Sequence, residues 1–372
     1  MTVPISNHSS LGVGIVGLSA SGGWAAGAHV PALTRLAGFE LRGLVASSSA
    51  TAKVAGDKFG VDLAYDNVRE LVDRDEIDLV VITVKVPEHR ELVMTALDCG
   101  KAVLCEWPLG NGLAETEQLA EAAHARGLPG FVGLQARSAP TIRYMRDLIA
   151  DGYIGEVLST SLIGSGGTWG ATVDARNAYT LDRANGATML TIPFGHTIDA
   201  LTVVLGEFDD LAATTATRRR QVFDGESSRG IPMTAEDQIV VSGVLAGGAI
   251  ASVHFRGGMS AGTNLLWEIN GTDGDLVLTG NSGHLQLADI ELRGSRAGSD
   301  MAVMSPPRRY ELAPRDAFGD VPRAYNVANA YAQIRDDLAS GTAFAPTFAH
   351  AVRRHSLLER IGASASSRCG SR

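Results

Sequence analysis

The segment Leu11-Gly-Val-Gly-Ile-Val-Gly17 constrains this chain more than any other. It is a short apolar run that reads as a buried strand, and it enters a glycine- and serine-rich turn, Gly17-Leu-Ser19-Ala-Ser-Gly22. Trp24 to Leu36 then carries a helical pattern. The turn is a G-x-G-x-x-G pattern with Ser19 in the second glycine position. Strand, tight turn and helix in that order bring the backbone close to a pyrophosphate and aim the free N–H groups of a helix start at it. The serine relaxes the need for close approach, although its hydroxyl is itself a phosphate partner. A glycine turn without a ligand is the competing explanation.

The rhythm continues downstream. Phe39 to Ala46, Ile77 to Thr83, Ala102 to Glu106 and Gly130 to Leu134 read as strands. Ser49 to Phe59, Glu88 to Cys99 and Leu113 to Arg126 read as the helices between them. Such alternation predicts βαβ units and a doubly wound parallel sheet, a Rossmann domain over 1–135. Beyond it the pattern changes. A helix over Ala139 to Asp151 and a strand over Val157 to Gly164 are followed by a helix from His196 to Leu205. Between Leu211 and Leu287 consecutive strands are separated by Gly, Asn and Asp, which predicts a large, mostly antiparallel open sheet. Ala324 to Ser340 and Phe348 to Ala363 are again helical. The expectation is an α/β chain with a second α/β domain over 136–363, for substrate and oligomerisation, and a disordered polar tail over 364–372.

Composition narrows the function. With 45% hydrophobic and 20% charged residues the chain has ample core for two domains. A formal net charge of -9 argues against a nucleic-acid surface, and the run Arg218-Arg219-Arg220 reads as a solvated loop or helix end. Three cysteines without a CxxC pair, and scattered histidines, predict neither a disulfide scaffold nor a metal site. No secretory signal and no spanning apolar stretch point to a cytoplasmic protein away from membranes.

The second strand ends at Val45-Ala-Ser47-Ser48-Ser49, where an NAD-preferring site places Asp or Glu for the ribose 2′-hydroxyl. Hydroxyls there tolerate a 2′-phosphate, so the cofactor is NAD or NADP with a slight lean to NADP. A serine turn capping the next helix explains the same residues.

Four pieces then line up: the glycine turn, Ile82-Thr83 through Pro87-Glu88-His89, Ala96-Leu-Asp-Cys-Gly-Lys-Ala-Val-Leu-Cys-Glu106-Trp-Pro108, and Gly195-His196-Thr-Ile-Asp199. Their order resembles the Gfo/Idh/MocA oxidoreductases over nearly the whole chain. Gly17 to Trp24 and Gly133-Leu-Gln-Ala-Arg137 resemble the branch that contains the fungal galactose-pathway repressor, a regulator that binds the dinucleotide. The resemblance implies a Rossmann domain and an α/β domain whose open sheet often mediates oligomers, here a dimer or tetramer. It also implies a cofactor site of Gly17, Ser19, Gly22, Ser47, Thr83, Glu106 and Trp107. Two departures stand out. The family's Glu-Lys-Pro is Glu106-Trp107-Pro108 here, and the usual Asp four residues before the helix histidine is Ile192.

His196 keeps the family position for moving a hydroxyl proton, and an imidazole titrates near neutral pH. A structural histidine on the helix is the alternative. Lys85, just beyond the third strand, either replaces the missing lysine or is a loop charge. Trp107 stacks on a nicotinamide or sugar face, or plugs the core. Arg137, Tyr179 and Asp199 are candidate substrate contacts, with an interdomain or surface salt bridge the other role for Arg137. His29 falls four residues later than the family's histidine, which implies an insertion around Gly23 to Ala26. The expectation is therefore an NAD(P)-dependent oxidoreductase of a sugar, cyclitol or related polyol. The alternatives are a non-catalytic dinucleotide-binding sensor or regulator, or an enzyme using a transient redox step within an elimination.

Overall fold

The computed structural model describes residues 10–296 and 298–369, without the side chains of 368 and 369. Two compact units divide the chain. The first combines residues up to Ser138 with Glu311–His355, and the second combines Ala139–Tyr310 with the stretch from Ser356 onward.

The first unit carries six parallel strands: β1 (Leu11–Val16), β2 (Phe39–Val45), β3 (Leu63–Tyr65), β4 (Leu79–Ile82), β5 (Ala102–Glu106) and β6 (Gly130–Gly133). Their order is β3-β2-β1-β4-β5-β6, the doubly wound arrangement the sequence predicts. All six residues of β1 are buried, as they must be for a strand covered on both faces. The helices are α1 (Val30–Arg35), α2 (Ser49–Phe59), α3 (Val68–Val72), α4 (Val86–Asp98) and α5 (Leu113–Ala125). Before α1 the chain makes a π-helical turn, Ala25–His29, at the place where the sequence implies inserted residues.

The domain boundary departs from expectation. The helix α8 (Tyr325–Ser340), placed by its sequence position in the second domain, belongs to the first unit. Tyr331 is buried in the core formed by Leu33, Phe39 and Ala32. Its ring meets that of Phe39 edge-on at 5.2 Å. The β6 edge is also closed from afar, since the Val132 N–H donates to the Pro346 carbonyl at 2.8 Å. That partner satisfies a strand edge which would otherwise be open.

The second unit holds α6 (Pro140–Ala150), α7 (Pro193–Leu205) and an eight-stranded sheet. Its strands are β7 (Val157–Gly166), β9 (Phe208–Ala216), β12 (Gln238–Leu245), β13 (Ile250–Gly257), β14 (Leu265–Gly271), β15 (Gly274–Gly280), β16 (Ile290–Arg296) and β17 (Ala302–Val303). The order is β17-β16-β15-β14-β7-β13-β12-β9. Only the β7–β13 pair is parallel among the described pairings of this sheet, because β7 arrives from upstream and inserts between two later strands. A small separate sheet joins β8 (Thr172–Val173), β10 (Gln221–Asp224) and β11 (Gly230–Pro232). Leu162, Val241, Val253, Phe255, Trp267 and Leu278 face the core, and α7 packs on β7. The alternate positions look outward. Val240 is 40% and Ile250 57% exposed.

The tail expectation is corrected. Helix α9 (Phe348–Cys369) continues through 364–369. Alanine and arginine sustain a helix already begun, and the Ser364 hydroxyl accepts the Ala213 N–H at 3.0 Å. Residues 370–372 lie outside the described residues.

Candidate functional site

The strand ends of the first unit build a candidate dinucleotide site. Val16 is in register with Ile82, and Ile82 with Cys105. The next residues, Gly17, Thr83 and Glu106, therefore form one row along the C-terminal edge of the sheet, at the point where strand order reverses. The Thr83 hydroxyl donates to the Val16 carbonyl at 2.8 Å and ties the end of β4 to the end of β1. Gly17 has φ +96° and Gly22 φ +106°, values that side-chain-bearing residues rarely adopt. A Cβ at Gly22 would meet nothing within 4 Å, so the turn faces open space. Just beyond it the Trp24 Nε1 is buried without a hydrogen-bond partner. An open glycine turn, a helix start and an unused buried donor fit a dinucleotide phosphate and its riboses.

The remaining candidate residues of the first unit take distinct places. The Ser19 hydroxyl lies 2.9 Å from that of Ser21 and accepts the Ser21 N–H, so it is turned into the loop. Ser48 caps α2 with Thr51 in a reciprocal capping box, which leaves Ser47 as the exposed hydroxyl at the end of β2. Lys58 was not singled out by the sequence, yet its Nζ donates to the Ala20 carbonyl at 2.7 Å and sets a cation on the turn. No local motif marks it, because it comes from α2. Lys85 occupies the N-cap position of α4, exposed and two residues past Thr83. Arg137 sits half-buried in the 3-10 turn Gln135–Ser138.

Glu106 is held from behind. Its Oε1 accepts from Gln135 Nε2 at 2.6 Å and from His29 Nε2 at 3.0 Å. The other imidazole nitrogen, Nδ1, lies 2.8 Å from the Tyr331 hydroxyl, and His29 is wholly buried. A carboxylate only accepts, so Nε2 donates to Glu106. His89 ties the neighbouring loops, with Nδ1 2.9 Å from the Pro108 carbonyl and Nε2 3.0 Å from that of Val84. Burial holds its imidazole below the usual range.

Trp107 is 4% exposed and its ring lies 4.6 Å from that of His355. Of the two roles open to it, the core plug is the one this packing displays. Burial lowers the His355 imidazole to about 4, and its Nε2 has no hydrogen-bond partner. A group neutral when folded takes up a proton on unfolding below its ordinary value of 6.5. Stability carried by His355 is therefore full above about 6.5 and falls as pH drops toward 4, by on the order of 3 kcal/mol across the window. Urea midpoints measured from pH 7.5 to 4.5 should show that decline, and His355→Phe should flatten it. Trp107→Ala should cost about 3–5 kcal/mol of stability, read in the same titrations. An unchanged midpoint would show that the indole is not packed as described.

The second unit holds His196, Asp199 and Tyr179. His196 and Asp199 are buried on α7, three positions apart and hence on one face. The loop before α7 is set by Glu236, itself buried. Its carboxylate accepts the Thr188 hydroxyl at 2.7 Å, the Leu190 N–H at 3.2 Å and Arg183 Nη2 at 3.1 Å. Tyr179 is half-buried in a 3-10 turn, and Trp169 Nε1 donates to the next carbonyl, that of Thr180, at 3.0 Å. Neither Glu236 nor Trp169 carries a sequence signal, since each acts through a long-range hydrogen bond.

Residues 11–134 match the model of an oxidoreductase family with an NAD-binding Rossmann fold, and residues 140–280 match that of the Gal80p C-terminal domain. The chain belongs to the Gfo/Idh/MocA oxidoreductase family, with a Gal80-like second domain. It is 30% identical over 349 residues to the galactose/lactose metabolism regulatory protein GAL80 of Saccharomyces cerevisiae, covering 88% of this chain and 80% of that one. It is 25% identical to the levoglucosan dehydrogenase of Pseudarthrobacter phenanthrenivorans, covering 81% and 82%. The crystal structure of a super-repressor mutant of Gal80p from Saccharomyces cerevisiae superposes with a TM-score of 0.87 at 27% identity, covering 97% of each chain. No helix among the described residues is long and apolar enough to cross a membrane.

Proposed function

We propose that this protein is an NAD(P)-dependent oxidoreductase acting on a sugar, cyclitol or related polyol. The observation that carries the reading is the retention of His196, buried on α7 and approached by a loop that Glu236 pins in three places. A nicotinamide ring, when bound, supplies the hydride acceptor. The chain's own part is to hold the carbinol and to take its hydroxyl proton on the His196 imidazole as hydride leaves the same carbon. Gly17, Gly22 and the helix start receive the pyrophosphate. Ser47 and Lys58 suit a 2′-phosphate and support the lean to NADP. Tyr179, Asp199 and Arg137 remain candidates for the substrate hydroxyls. The test is to incubate the pure protein with NAD+ or NADP+ and a panel of sugars and polyols, and to follow reduced nicotinamide by absorbance. Turnover with any of them supports the reading.

A second reading, a dinucleotide-binding regulator without turnover, is favoured by Trp107, which packs against His355 where the family has a lysine. Tight binding without turnover in the same experiment selects it.

The outward face of the eight-stranded sheet, with Val240 and Ile250 exposed, supports a homodimer or tetramer. Light scattering should give a multiple of 38.9 kDa. The double change Val240→Glu, Ile250→Glu should reduce it to the single-chain mass. A wild-type monomer would remove the proposal.

A further inference from the structure

The outward face of the eight-stranded sheet carries an imidazole in its middle. Burial alternates along β13, so Ile250, Ser252 and His254 look outward while Ala251, Val253 and Phe255 face the core. The pairing registers set the surroundings of His254. Val240 on β12 lies directly opposite it on one side, and Ile163 on β7 on the other. Leu266 on β14 continues the row beyond Ile163. His254 is thus an exposed, titrating side chain in an apolar row.

Neither flanking strand, β7 or β12, contains an ionisable residue. On β13 itself Arg256 follows two positions later, a like charge to a protonated imidazole. Partial burial, and then that guanidinium, hold the His254 imidazole below its ordinary value. The carboxylate of Glu268 stands two strands across and two residues along. That is roughly 12 Å by strand spacing and rise, beyond a screening length of about 8 Å. A proton on His254 therefore gains no partner from the strands beside it. The same face suits a second copy of this chain. Charges of both signs, Arg256 and Arg293 with Glu268 and Glu291, frame the apolar row. A contact between identical patches needs a surface that complements itself, and both signs supply that in a chain of net charge -9. Covering the row would strip water from His254 in both chains, and desolvation disfavours the charged ring.

We propose that this face is a pH-gated contact between two copies of the chain: neutral His254 permits association, and protonated His254 separates the copies. The proposal rests on the reading that the face assembles, and it adds what regulates the assembly. Proton linkage gives the direction. The assembled form holds His254 neutral to a lower pH than the free chain does. Assembly therefore releases protons, and it weakens as pH falls below the ordinary value of 6.5. A symmetric pair covers one His254 from each chain, so the dissociation constant rises by up to about 100-fold per pH unit.

The test is sedimentation velocity of the full chain at pH 7.5 and 5.5, at one ionic strength, with circular dichroism to confirm the fold. The dissociation constant of the wild-type chain should rise about 10–100-fold between the two. His254→Gln keeps a polar side chain without a titrating ring, and should hold the change within about threefold. His254→Arg carries a fixed charge and should separate the copies at pH 7.5, where acid plays no part. The side chain is exposed, so both variants should fold. A wild-type constant that is unchanged or lower at pH 5.5 overturns the proposal, the latter being the result if a carboxylate of the second copy stands over His254. So does a pH response that survives His254→Gln, or a His254→Arg chain that associates as wild type. A wild-type chain of single-chain mass at pH 7.5 overturns instead the reading that the face assembles.

Discussion

His196→Ala should lower kcat for the polyol by about 10²–10⁴-fold, the range a positioned general acid or base contributes, while the Kd for dinucleotide stays within twofold. The expectation follows from where the residue sits. His196 lies in the second unit, whereas the glycine turn, Thr83 and Glu106 all lie in the first. A change confined to α7 alters none of the residues of the phosphate cradle. His196→Gln tests whether size and hydrogen bonding suffice without a titrating ring, and it should be nearly as slow. Equal losses in turnover and in dinucleotide affinity would mark His196 as a packing residue, and the oxidoreductase reading would lose its main support.

Gly22→Val should abolish measurable dinucleotide binding and leave most of the fold. At φ +106° any side chain is strained, at about 1–2 kcal/mol. Nothing stands within 4 Å of the new Cβ, so the protein absorbs the change without a collision. The branched side chain then fills the space that a pyrophosphate needs. Gly17→Ala provides the contrast. Its Cβ would lie 2.9 Å from Val84 Cγ1 and 3.0 Å from Thr83 Oγ1, so it disturbs the row itself and should lower both stability and binding. Thermal melting alongside calorimetry separates the two. A Gly22→Val protein that binds as wild type would place the phosphates elsewhere.

Much of the first unit is legible in the sequence because its signals are local. β1, β2, β4, β5 and β6 are apolar runs bounded by turns, and α2 begins at a Ser48–Thr51 capping box. β3 escapes notice because three residues, Leu63–Tyr65, set no period. α8 shows its helical pattern but not its allegiance. What ties it to the first unit is Tyr331 against Phe39 and His29, and Gln333 accepting the Ser138 hydroxyl at 2.7 Å, contacts that span hundreds of residues. The same holds for the site. Gly17, Gly22 and Ser47 could be named from a strand–turn–helix pattern. The role of His29 could not, since the distance to Glu106 depends on how the π-helical turn absorbs the extra residues. Trp107 was readable only as two alternatives, and its packing on His355 required the position of a residue 248 places further along the chain (355 − 107).

The return of residues 311–355 to the first unit bears on how the protein is made. A ribosome releases the five strands and helices through α5 early, together with β6. At that stage Val132 has no Pro346 to accept its N–H, and the pocket beside Phe39 and His29 awaits Tyr331. The unit synthesised first is therefore completed only after residues 139–310, the larger part of the second unit, have emerged. During that interval an open strand edge and an apolar cleft are on display, and both are features that chaperones recognise and that promote aggregation. Expression of residues 1–138 alone should give an insoluble or partly folded product. Joining 1–138 to 311–355 through a short linker should restore a soluble unit, because the insertion, rather than the order of synthesis, is what separates its two halves.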